Sequence, residues 1–154
     1  MRNSPILYLS TCLSDHVHYY QGGAPFEYVI VNPRTLAIRY EILGPDLAAG
    51  HKLQVIVEGN MWKAGRLLTK GQKAKNGYVS SSNCDYCLVA EAVGPGFDVL
   101  DFGFVHSESV HKEAPRFADE LVRYCHDVPE DWNSYYQDAE LLGERKTSRL
   151  GLAE

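Results

Sequence analysis

Along the first hundred residues, short stretches with alternating apolar and polar side chains follow one another closely: "PILYLS", "HVHYY", "FEYVIVN", "LAIRYEIL" and "KLQVIVEG". An apolar side chain at every second position is the pattern of a half-buried strand. "MWKAGRLL" follows at once, and "YCLVAEAV" and "FDVLDFGFV" are parted by "GPG". Glycine, proline and polar clusters such as "PRT" and "GPDLAAGH" break the runs and read as turns. Many short strands at close spacing predict an antiparallel barrel or sandwich over residues 1–106.

After Val105 the period changes. In "SVHKEAPRFADELVRYCHD", Phe117, Leu121 and Tyr124 fall at helical steps, with Ala118 and Val122 beside them. Pro129 suits the first turn of a second helix, "PEDWNSYYQDAELLGERK", with Trp132, Tyr135, Tyr136, Ala139 and Leu142 on one stripe. Residues 107–154 are therefore expected to form a helical tail packed on the barrel, frayed at "TSRLGLAE".

A chain of 154 residues, 45% hydrophobic and 23% charged, is expected to be one globular domain. No apolar run approaches the roughly 18 residues of a membrane span, and the N-terminus lacks the long apolar core of a secretion signal. A cytoplasmic protein without membrane contact is the expectation. The net charge of −5 argues against nucleic acid, and Lys70, Lys73 and Lys75 read as a solvated loop. Cys84 and Cys87 form a single C-x-x-C, with neither a second ligand pair for zinc nor a redox-type helix after it.

The chemistry concentrates in "SDHVHYYQGG", residues 14–23. On a strand, His16, His18 and Tyr20 share one face and Val17 and Tyr19 the other. Two imidazoles on one face offer neutral nitrogen donors to a divalent transition metal. Whether they face the barrel interior decides between a metal site, a pocket and an ordinary strand.

Four segments in order resemble a known family: "ILYLS", "SDHVHYYQGGAPFEYVIV", "LGPDLAAGHKLQVIVEGNMWKAG" and, most specifically, "CLVAEAVGPGFDVLDFGFV". Together, residues 6–105 resemble the Cupin_5-like family, a domain of unknown function in the cupin superfamily. The resemblance implies a mainly β fold, the cupin double-stranded β-helix or jelly-roll-like barrel, with a central pocket and a homodimer. It also implies a barrel shortened at its N-terminus, since relatives carry further segments before "ILYL". Cupin metal sites pair two histidines and a glutamate in one motif with a third histidine in a second. Here His16 and His18 match in spacing but not in register, Glu27 lies too far along, and Trp62 stands where the third histidine would be.

If His16, His18 and Tyr20 point inward, the expected pocket adds Gln54, Ile56, Trp62, Phe97 and Phe102. The candidate metal ligands are His16 and His18. The catalytic candidates are His16, His18 and Tyr20, with Asp15 or Asp98 as carboxylate, by likeness to cupin-fold epimerases. Three functions follow as expectations. One is a barrel that binds a small molecule in an aromatic lumen. The second is a metal-dependent or epimerase-like enzyme. The third is a structural or interaction protein that uses its tail.

Overall fold

The computed structural model describes residues 6–125. Its eight strands are β1 (Ile6–Cys12), β2 (Asp15–Gly23), β3 (Phe26–Val31), β4 (Ile38–Leu43), β5 (Gln54–Val57), β6 (Trp62–Leu67), β7 (Cys87–Gly94) and β8 (Phe102–Phe104). They form two antiparallel sheets, one of five strands in the order β4-β3-β6-β1-β8 and one of three in the order β5-β2-β7. The fold is mainly β, as the alternating pattern predicts. Among the described residues, no helix is long and apolar enough to cross a membrane.

The larger sheet is covered on both faces, because its strands carry apolar residues on both. Tyr28 and Ile30 of β3 pack with Val55 and Val57 of β5, filling the space between the sheets. Val29, Val31, Leu9, Trp62 and Ala64 point the other way, onto the segment after β8. That segment contains α1 (Ser107–Glu113) and α2 (Ala118–Leu121), joined by a 3₁₀ turn at Pro115–Phe117. Val110, Ala114, Ala118, Leu121 and Tyr124 face the sheet. Their steps of four, four, three and three are helical; of the stripe read from the sequence, Ala118, Leu121 and Tyr124 are in this core, Phe117 and Val122 are partly buried against it, and Val110 and Ala114 extend it. Pro115 lacks the N–H that a continuous helix would need, which accounts for the break. The proposed second helix, residues 129–146, and the frayed end lie outside the described residues.

The "FDVLDFGFV" run is only partly a strand. Asp98 accepts a hydrogen bond from the Leu100 N–H at 3.0 Å and caps a 3₁₀ turn over Val99–Asp101. The ladder to β1 is therefore confined to Phe102–Phe104.

Candidate active site between the two sheets

On β2, His16 and His18 point into the space between the sheets, both about 95% buried, while Tyr19 faces out. The pairing of β2 with β7 sets His18 opposite Glu91, which brings a carboxylate to the same place. From the facing sheet, β6 contributes Lys63. Trp62 and Ala64 on either side of it pack under the helices, so alternation sends Lys63 inward, where it is also buried. At Gly65 a side chain would collide with the Phe26 ring and the Glu27 carbonyl oxygen, so glycine lets β3 and β6 close beside the lysine.

The four groups form one cluster. His16 Nδ1 lies 2.6 Å from Glu91 Oε1. Lys63 Nζ donates to Glu91 Oε1 at 3.1 Å and lies 2.9 Å from His16 Nδ1 and 3.1 Å from His18 Nε2. His16 Nδ1 can give a hydrogen to Glu91 or take one from Lys63, but not both, and its Nε2 carries the proton only in the second case while the ring is neutral. That Nε2 is buried without a hydrogen-bond partner. The His18 ring packs on Tyr28, with centroids 5.0 Å apart.

Burial sets the charges. Desolvation, and after it the charge of Lys63, pushes His18 down to about 4, so it is neutral at pH 7. Burial also holds the Lys63 amine below its ordinary value, against the pull of Glu91. For Glu91, burial alone would raise the carboxyl. The His16 hydrogen bond and Lys63 outweigh it and leave it below the usual range. The Glu91 side chain is 41% exposed against 5% for His16, so the cluster meets solvent through its carboxylate.

A cavity of about 780 Å³ opens beside the cluster. Its walls include Tyr8, Phe26, Tyr86, Phe97, Phe102 and Phe104, and His16, His18, Lys63 and Glu91 line it as well. Cys87 lines it too. Burial pushes that thiol up to about 11, which makes it a poor nucleophile at neutral pH.

Of the residues expected in a pocket, His16, His18, Phe97 and Phe102 line this cavity, and Tyr20, Gln54, Ile56 and Trp62 do not. Gln54 and Ile56 share a face of β5, but it is the exposed one; Val55 and Val57 face inward. Trp62 belongs to the core beneath the helices, one residue out of phase with Lys63. Tyr20 packs at the edge of the inter-sheet core and donates its hydroxyl to the Gly23 carbonyl at 2.7 Å, near an irregularity in the β2–β7 register. Both expected aspartates have backbone partners elsewhere. Asp15 accepts from the Gly59 N–H at 2.7 Å, and Asp98 caps its turn. Sequence reasoning missed Lys63 and Glu91. The available signal was a charge inside an otherwise apolar run, Lys63 in "MWKAGRLL" and Glu91 in "YCLVAEAV".

His16, His18 and Glu91 are a ligand set of the kind that holds a divalent transition metal, with donor atoms within 4.8 Å of one another. The set does not fit a metal while Lys63 is charged and in place. A metal held by these atoms would lie among them, where the amine already is. At an effective dielectric constant of 20, each pair of unit positive charges about 3 Å apart repels by about 5 kcal/mol.

The family model described as Cupin_5, cupin superfamily (DUF985), matches residues 1–105. No curated protein matches the chain. Two solved structures share the fold. A hypothetical protein from Leishmania major has a TM-score of 0.64 at 20% identity, covering 78% of this chain and 69% of that one. A protein from Shewanella oneidensis has a TM-score of 0.62 at 20% identity, covering 79% and 67%.

Proposed function

Since the chain belongs to the Cupin_5 family of the cupin superfamily, we propose that it binds a small organic molecule in the cavity between its sheets. The aromatic walls would pack a ring or short apolar body, and the Lys63–His16–His18–Glu91 cluster would hold its polar end. The observation that carries this reading is the cavity itself, walled largely by aromatic and aliphatic side chains, with His16, His18, Lys63 and Glu91 converging on one part of it. Calorimetry and crystal soaks with small carboxylates, hydroxy acids and sugars test it. A ligand should bind at one per chain and lose at least about tenfold in affinity in Phe102→Ala and Lys63→Met, roughly the worth of one aromatic or one charged contact. Binding unchanged in both variants, or in a Val89→Trp variant that fills the cavity, would place the ligand elsewhere.

A second reading is favoured by the 2.6 Å His16–Glu91 contact. A base held by a carboxylate beside a lysine can move a proton to or from a bound substrate, as an epimerase-like enzyme requires. Incubating each ligand found with protein in D₂O separates binding from catalysis. A carbon-bound deuterium that appears with the wild type but not with Glu91→Gln supports the enzyme. The metal-dependent form of the enzyme requires Lys63 to give up its place.

We further propose that two copies form the homodimer that the family resemblance implies, and that they pair through the outer face of the β5-β2-β7 sheet. Tyr19, Leu53, Ile56 and Leu88 stand exposed along this sheet, an apolar surface unusual for a solvated face.

A further inference from the structure

We propose that the Lys63 amine is a built-in cation seated where a metal would bind, so that the folded protein excludes metals, and that removing this amine turns His16, His18 and Glu91 into a metal site. Lys63 Nζ is 2.9 Å from His16 Nδ1, 3.1 Å from His18 Nε2 and 3.1 Å from Glu91 Oε1. His16, His18 and Glu91 are the three side chains whose donor atoms lie close enough together to hold a metal ion. An ammonium group offers three hydrogens and one positive charge at one point. It meets the needs that a divalent cation would otherwise meet, a counter-charge for the carboxylate and a partner for the ring nitrogens.

The placement is built rather than incidental. His16, His18 and Glu91 stand on adjacent strands β2 and β7, whereas Lys63 crosses from the facing sheet. Lys63 is 6% exposed, too buried for its amine to be solvated by chance proximity to the surface. The neighbouring strand residues, Trp62 and Ala64, are packed into the core beyond the sheet, which fixes the direction of the lysine stem. This arrangement holds whatever ligand the cavity takes.

The test adds metal to folded, chelator-treated protein at equimolar Zn²⁺ or Co²⁺. Wild-type protein should bind neither above background, and Co²⁺ should give no ligand-field bands of an ordered site. Lys63→Met, which keeps the stem's volume, should bind one equivalent. Its affinity should exceed the wild type's by at least about 100-fold, because a positive charge within ~3 Å of the seat is gone. A His16→Ala/Lys63→Met double variant should lose that gain. The proposal is overturned if wild-type protein takes one equivalent within about tenfold of the Lys63→Met affinity, a difference of about 1.4 kcal/mol. It is equally overturned if folded Lys63→Met binds none. Should Lys63→Met fail to fold, the imidazole ¹⁵N signals of wild-type His16 and His18 decide. Unmoved by equimolar Zn²⁺, they support the lysine seat, and a stoichiometric shift overturns it.

Discussion

His18 is kept neutral first because burial strips the water a charged ring would need, and then because a proton on it would put a second cation beside Lys63. Glu91 opposes this only in part. In the unfolded chain the same side chain titrates near 6.5. Between about 6.5 and 4 the unfolded state therefore binds a proton that the folded state refuses, and stability falls as the pH falls through that window. The depressed Glu91 carboxyl adds a loss of the same sign below its ordinary value. We expect urea midpoints to drop from pH 7 to pH 4, with His18 contributing on the order of 2–3 kcal/mol. His18→Asn should show a visibly shallower decline; an equally steep one would rule His18 out as the source. The pair His16/His18 was legible in the sequence because spacing i, i+2 fixes a shared face whichever way the strand turns. Lys63 and Glu91 were not, since each is one charged letter in an apolar run. Their meeting depends on the register of β2 with β7 and the approach of the other sheet, neither of which a single strand encodes.

The strands themselves were legible, because a period of two needs only local reading. The exception, Val99–Asp101, turned on Asp98, whose side chain competes for a backbone N–H that a strand would have used. The facing of β5 shows a subtler limit. Alternation tells that Gln54 and Ile56 go together, not that they go outward. An isoleucine on the solvent side reverses the usual sorting, and only the opposing Val55 and Val57 reveal it. The helical segment after β8 is core rather than ornament. Leu121 is completely buried between α2 and the five-stranded sheet. Leu121→Ala should lower unfolding free energy by about 2–5 kcal/mol, the usual cost of an unfilled leucine site. A change below about 0.5 kcal/mol, the scale of surface substitutions, would mean that the segment is not part of the cooperative fold. Having its apolar stripe spent on the sheet leaves residues 107–125 little apolar surface for docking a partner.

Among the described residues, both faces of the larger sheet are covered and only the inner face of the smaller one is. The dimer proposed above would use the outer face of the smaller sheet. Ile56→Glu should leave the fold intact and move a dimer to monomer in sedimentation equilibrium at micromolar concentration. A wild type already monomeric there would refute the pairing. The two-sheet division also has a consequence for how the protein is made. His16, His18 and Glu91 are gathered by the pairing of β2 with β7 alone, whereas Lys63 reaches them across sequence separations of 47, 45 and 28 residues when the sheets close. Any nascent or refolding chain with the smaller sheet formed and the larger one still apart presents three open donors to whatever ion is at hand. Closure of the two sheets then brings the Lys63 amine to those donors, so an ion taken up early has to leave before the native cluster can form.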